Sequence, residues 1–550
     1  MKRQIRRIIA SMLAVTMVLS NNNLAVFAEE AGSKNQSVMV EEQQVEQQQK
    51  EQQQKEQQQE NESDTQPEEQ QEEQQEETEV SGEELSENQT EVSDNDSEKV
   101  NLTLELLAAE ESADANVTIR TVEQFVALSK SDAQTYQNKT ITLAPHDKDE
   151  WDLSGTEFAG LGSDAYPFKG SISFSGNYTG YITLKRSLFN AISGDAKINS
   201  TLNLRAADNM TDPILAKSYV AGENSETSVQ PIHLNIDAES KAATEENADY
   251  SSFGGIIGTL GTNSSVSLEV ISIIPAAETV VSGEGNKGFF CNTMKDGSSL
   301  ELTSFTGTAD FNVTSTNETA GALVGCMAAN AELTVSKEFA YNGSVNGAQN
   351  AGGLVGSTKA GAQIILQDNY TVSGSVTSEN GNAGGLIGLA ENNPVSLTDG
   401  KKVSVTNASL SANETRGAAG GLFGFGTISQ GDLSLDLAVY SVNGVTITSG
   451  KYAGGVFGAL QNGAESDGTY TYTIMMKEGV SGNNGNVSST GNGVENYGGL
   501  IGMYEAKNLA SALNLKDLQL TSVHNGTKKT AYAGVIAEVT GKSYVKMENL

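Results

Sequence analysis

Ala351-Gly352-Gly353-Leu354-Val355-Gly356 returns along the chain as a series of near-copies. Gly254–Gly258 reads GGIIG, Gly321–Gly325 GALVG, Gly384–Gly388 GGLIG and Gly420–Gly424 GGLFG. Gly454–Gly458 reads GGVFG and Gly498–Gly502 GGLIG, with weaker copies at Lys287–Cys291 (KGFFC) and Ala533–Ala537 (AGVIA). Most copies start roughly 31–36 residues after the one before, and one interval is roughly 44. A fixed period of this size describes one supersecondary unit stacked on copies of itself.

Within one period, the short apolar motif is followed by Ile364-Ile365-Leu366, then by the alternating run Tyr370–Val376 and a polar turn over Thr377–Asn382. The second apolar run recurs as Val266, Leu268 and Val270, as Leu333 and Val335, as Val395 and Leu397, and as Leu433, Leu435 and Leu437. Strict alternation means strands with one buried face. A short helical pattern near Glu505–Leu513 is the one exception expected after Asn263. Two or three short strands per period, separated by Gly, Asn and Ser turns, predict an all-β chain. Its fold is a parallel β-helix, or β-solenoid, of about nine to eleven coils.

Like residues then stack on like. The third motif position (Ile256, Leu323, Leu354, Leu386, Leu422, Val456 and Leu500) is expected to form an interior ladder. The fourth (Val324, Ile387, Phe423, Phe457) is apolar too, and neighbours on a flat strand cannot both point inward. Either the glycines bend the chain, or the fourth position packs beneath an external loop; the loop reading is preferred. The paired glycines would serve a positive φ or a close backbone approach. Antiparallel hairpins are the rival architecture. Asn342-Gly343, Asn346-Gly347, Asn380-Gly381 and Asn443-Gly444 stand inside longer polar stretches, which fits coil corners better.

At these residues the chain resembles the GLUG-motif family. Its repeats carry a Gly-Gly-Leu-Val-Gly core in secreted bacterial proteins, including non-catalytic parts of immunoglobulin A-directed metallopeptidases and large surface adhesins. The resemblance covers roughly 253–550 and implies surface display and adhesion. It carries no catalytic residue.

The N-terminal third differs. Lys2, Arg3, Arg6 and Arg7 precede an apolar run at Ile8–Leu19, too short to cross a membrane, and Val26-Phe27-Ala28 forms a small-x-small cleavage site. Residues 1–28 therefore read as a secretory signal peptide, which places the protein outside the cell or on its surface, with no membrane span after removal. Residues 29–115 hold 28 acidic residues against 4 lysines, and so much of the net charge of −36. Glu41–Glu77 is almost wholly Glu and Gln, without the apolar positions of a coiled coil, and is expected to be a disordered acidic stalk. From Val117 the composition changes. Thr121-Val122-Glu123-Gln124 is a capping box that starts a short helix near Val122–Ser129, and Lys139–Leu143 follows as a strand. Residues 116–200 are expected to form an N-terminal cap and the first β-helix coils, with Trp151 plugging the end of the core. Residues 201–550 form the repeat solenoid. Ser543–Met547 reads as the second strand of a last coil, and neither a polar cap nor a Leu-Pro-x-Thr-Gly sorting signal follows. Leu550 is therefore expected not to be the natural end.

The sequence offers no catalytic, cofactor-binding or metal-ligating residue. His146, His233 and His524 lie far apart, and no His-Glu-x-x-His, nucleophile elbow or P-loop occurs. Between Phe253 and Leu550 arginine occurs once, at Arg416, while Asp368, Asp399, Asp432 and Asp436 are scattered. No basic patch invites nucleic acid. Tyr452, Tyr470, Tyr472, Tyr497, Tyr504 and Tyr532 concentrate in the last coils. They read first as strand formers and second as a carbohydrate platform. Cys291 and Cys326, one repeat apart, are expected to point opposite ways and stay unbonded. The function expected is a non-enzymatic secreted cell-surface scaffold for adhesion or ligand presentation, with a host or matrix protein or glycan as partner. The alternatives are a glycan-binding or glycan-cleaving β-helix, or the non-catalytic N-terminal region of a larger surface peptidase.

Overall fold

A computed structural model describes residues 116–145, 150–176, 178–223, 230–238, 252–274, 279–305, 309–392, 394–413, 417–429, 432–463, 471–475, 487–492, 496–507, 511–518, 520–525, 531–541 and 544–549. The expected signal peptide and acidic stalk lie outside the described residues. The described residues form the expected parallel β-solenoid, of about ten turns.

The coil that begins at the quoted motif shows the plan. Ala351–Gly352 forms a two-residue strand; Val355–Thr358 forms face 1 and Gln363–Leu366 forms face 2. Tyr370–Val372 and Ser375–Ser378 together form face 3. Each strand pairs in parallel with its copy in the next coil. Val324 stands beside Val355, Val355 beside Ile387 and Ile387 beside Phe423. The Ala-Gly strands build an eight-stranded sheet, face 1 has eleven strands and face 3 twelve. Face 2 has nine, from Trp151–Asp152 to Val395–Leu397, and resumes as a separate four-stranded sheet from Asp432–Asp436 onward. Parallel pairing excludes the hairpin array. Asn380-Gly381 sits at a corner as expected, but Asn346-Gly347 and Asn443-Gly444 lie inside strands of face 3. Of the stretch near Glu505–Leu513, residues 508–510 lie outside the described residues, and the described parts are not helical. Its ends lie in strands Ile501–Ala506 and Ala512–Lys516.

The motif makes one sharp corner. Leu386 O accepts from both Leu354 N (2.8 Å) and Val355 N (3.1 Å), and Leu422 O from both Leu386 N (2.8 Å) and Ile387 N (3.1 Å). Successive amides of a flat strand point to opposite neighbours, so one carbonyl serving two in a row marks a bend between them. Both side chains then face inward. Leu386 and Ile387 are both buried in the same core, as are Leu422 and Phe423. The third-position ladder is as expected. The fourth position does not pack beneath an external loop; the bend turns it into the core.

The glycines make this corner by close approach. A Cβ at Gly384 would lie 1.9 Å from Ile387 O and 2.7 Å from Gly424 N. One at Gly388 would lie 2.7 Å from both N and O of Ala351. Neither needs a positive φ. Positive φ is used instead at the turn into face 2, where Asn263, Gly297, Asn330 and Gly361 (φ 55°, 67°, 56° and 79°) alternate coil by coil. The Asn263 and Asn330 side chains occupy the space a Cβ would need at Gly297 and Gly361. Glycine thus serves both the dihedral and the stacking there.

The weak copy is shifted by one residue from the sequence reading. Lys287 pairs with Ala320, and Cys291 with Val324, so Cys291 holds the fourth place and Asn292 the fifth. Asn292 supplies the missing order. Its Oδ1 accepts from Gly288 N (3.1 Å) and its Nδ2 donates to Gly254 O (2.7 Å). Cys326 stands beside Thr293, and both cysteines are free. Burial pushes the Cys291 thiol up to about 12.

At the N-terminal end, helix α1 (Val122–Lys130) is capped by Thr121, whose Oγ1 accepts from Gln124 N (3.3 Å). Gln124 Oε1 reaches back to Arg120 N (2.7 Å), one residue before the cap itself. A second short helix, α2 (Ala133–Tyr136), was not legible in the sequence. Phe125 of α1 packs on Trp151 and Phe158 (ring centroids 5.7 and 5.0 Å). Tyr136 Oη accepts from Gly162 N (3.0 Å). Trp151, buried on the edge strand of face 2, plugs the core as expected.

Candidate interaction surface

The residues singled out for chemistry do not converge. His146 and Arg416 lie outside the described residues, as do the side chains of His524 and Asp432. His233 stands on the outer side of face 2, its Nδ1 2.8 Å from Glu269 Oε2 in the register partner. Asp436 accepts from Ala438 N (3.0 Å), a turn bond. Asp368 accepts from Lys401 Nζ (2.7 Å) and Asn369 N (2.8 Å); these bonds hold its carboxyl below the usual range. Among the described residues no group of three or more His, Cys, Asp or Glu is placed to hold a metal ion.

One ionic cluster was missed in the sequence because its members come from three coils. Arg205 Nε donates to Asp237 Oδ2 (2.7 Å) and its Nη1 to Glu150 Oε2 (2.6 Å). Its guanidinium lies 4.9 Å from the Tyr181 ring centre. Register brings Thr183, Arg205 and Asp237 side by side on face 2. The arginine ties both carboxylates, so the cluster pins neighbouring coils together.

The tyrosines are mostly interior. Tyr472, Tyr497 and Tyr504 are buried, which overturns the platform reading for these three; the side chains of Tyr470 and Tyr532 lie outside the described residues. Tyr452 remains half-buried with Lys451 Nζ 5.1 Å from its ring centre. Other core tyrosines bond backbone carbonyls: Tyr341 Oη donates to Phe311 O (3.0 Å) and Tyr370 Oη to Gly353 O (2.8 Å). Burial raises both hydroxyls well above the ordinary value.

The outer faces differ sharply in charge. Face 2 strands carry Asp152, Arg205, Asp237, Glu269, Glu301 and Glu332. None of the twelve strands of face 3 contains Asp, Glu, Lys or Arg. Val345, Val376, Leu410 and Ile447 are its inward residues and are buried. The positions between them form two outward columns. One runs through Thr314, Asn346, Thr377, Ser411 and Thr448; the other through Ser344, Ser375, Ser409 and Thr446, with Asn312 above. Ser344 Oγ donates to Asn312 Oδ1 (2.6 Å) along its column. All ten are half-buried or exposed.

No family model, curated protein or solved structure matches this chain. The architecture is that of a β-solenoid scaffold.

Proposed function

We propose that the chain is a non-enzymatic, secreted bacterial surface protein of the GLUG-motif type. On this reading the acidic stalk holds a β-solenoid away from the cell, and the solenoid presents its faces for adhesion. The observation that carries the reading is the run of parallel, in-register coils among the described residues, whose outer faces are shared from coil to coil: a one-dimensional scaffold offers long ligand-accessible surface at little folding complexity. The signal-like Met1–Ala28 segment supports export. Polar groups that bond one another between coils, such as Arg205 with Asp237 or Asn382 Nδ2 with Asn350 Oδ1 (3.0 Å), serve stacking, which supports a structural role for them. The test is to express the full gene in a Gram-positive host with an epitope placed after Ala31. Export predicts a mature chain starting at Glu29 and epitope staining on intact cells, removed by external protease. A chain retained in the cytoplasm with Met1 intact would overturn the reading.

A further inference from the structure

We propose that face 3 is a docking surface for a neutral polysaccharide lying along the solenoid axis. The inference deepens the surface-scaffold reading and rests on it for access to such a polymer.

Charge decides the class of partner. The chain as a whole carries −36, yet the strands of face 3 hold no ionisable acid or base of the four common kinds. A polyanion needs lysine or arginine to replace its counterions, and a polycation needs carboxylates; neither is there. Protein partners are anchored by aromatic, Met and Arg side chains. The two outward columns offer none. What they offer is hydroxyls and amides, each able both to donate and to accept, the same chemistry as the hydroxyls of a sugar.

Geometry decides the orientation. Along a column, groups recur at the strand spacing of about 4.8 Å; across the columns, residues two apart stand about 6.6 Å from each other. Parallel in-register pairing keeps that lattice through Thr314, Asn346, Thr377, Ser411 and Thr448. A linear polymer running along the axis meets a fresh donor–acceptor pair at each coil, so weak single contacts add as effective concentration. The side chains are short and lose little rotamer freedom on binding. Bonds such as Ser344 Oγ to Asn312 Oδ1 already fix some of them.

The test is affinity electrophoresis of the full chain through native gels cast with galactomannan, xyloglucan or mixed-linkage β-glucan, and with polygalacturonate as the anionic comparison. At least one neutral polymer should retard the chain, and added salt should leave the retardation unchanged. The double variant Ser375→Glu/Thr377→Glu should bind at least about tenfold more weakly. Gln363→Glu/Ser396→Glu, with the same charge change on face 2, should bind as wild type. Should the face 3 pair lose its β-sheet circular dichroism, Ser409→Glu/Thr446→Glu, in the next two coils of the same column, replaces it, both positions being exposed. No retardation of wild type by any neutral polymer, equal weakening in both variant pairs, or loss of binding on adding salt would each overturn the inference. A chain displayed on cells that binds a matrix protein but no neutral polymer leaves the scaffold reading standing without this one. A chain that binds polymer but stays in the cytoplasm does the reverse.

Discussion

A single methyl group at Gly384 should open the solenoid locally, whereas the same group at Gly534 should not. At Gly384 the new Cβ would meet only backbone, Ile387 O at 1.9 Å and Gly424 N at 2.7 Å, so no side chain can rotate away. Relief requires the corner itself to move. That strains the ladder at Gly353 N to Gly384 O (3.2 Å) and Leu354 N to Leu386 O (2.8 Å). Overpacking of this kind costs about 1–3 kcal/mol, and two weakened ladder bonds about 1 kcal/mol each. Restricting the unfolded chain returns about 0.4–1 kcal/mol. The net destabilisation works out at about 2–5 kcal/mol. At Gly534 an added Cβ would meet no atom within 4 Å beyond its chain neighbours, so only the unfolded-state gain of about 0.4–1 kcal/mol remains. Solenoids open by segments. The assay is therefore native-state hydrogen exchange read by peptide mass spectrometry over the coils flanking each site. Faster exchange around residue 384 in the first variant, with unchanged or slightly slower exchange around 534 in the second, is expected. Equal effects would refute the corner geometry.

Further outcomes follow from the same packing. Leu386→Asp, which buries a carboxylate in the interior ladder, should lower the melting temperature far more than Asn382→Asp. Asn382 instead bonds Asn350 Oδ1 and Ala418 N between coils, so its change should cost about 1 kcal/mol. Raising the pH should leave the fold untouched until the unfolded-state tyrosine value of about 10 is passed. Tyr341 and Tyr370 are held neutral by burial, so their contribution is complete below that value and is lost as pH climbs toward their raised native values. Their phenolate absorbance should appear in the same step as the loss of β-sheet circular dichroism; earlier ionisation in the folded state would count against their burial. Cys291, with its thiol raised to about 12, should resist maleimide in the native chain at mildly alkaline pH and react once urea is added. Phe125→Ala should cost about 3–5 kcal/mol and release protection over 116–143 first, leaving distant coils protected.

The repeat made the architecture legible because a ladder needs the same residue type at the same place in each coil. Leu354, Leu386 and Leu422 announce that by spacing alone. The corner was not legible. Whether Ile387 faces in or out depends on a bend set by two amides sharing the Leu386 carbonyl, and no side-chain pattern reports that bond. The one-residue slip at Cys291 arose because Asn292 performs with its side chain what glycine performs by its absence. The tyrosines were read first as strand formers, and Tyr472 and Tyr504 do lie in strands; strand propensity alone does not say which face a residue takes, and both fill the interior, against the second reading as a platform. Arg205, Glu150 and Asp237 were invisible as a group because coil stacking joins residues far apart in sequence. The uncharged strands of face 3 were present in the sequence throughout, but they form a surface only once register stacks them.

The central claim, parallel in-register stacking of coils, is tested most directly by cysteine pairs on face 3. Ser409 and Thr446 are register partners, so Ser409→Cys/Thr446→Cys should oxidise readily to an intramolecular disulfide. Ser409→Cys/Thr448→Cys is offset by two residues, which places its Cα atoms about 8 Å apart, beyond disulfide reach. Rapid closure of the first pair and none of the second is the result expected. Equal closure of both pairs, or closure of the offset pair alone, would contradict the fold.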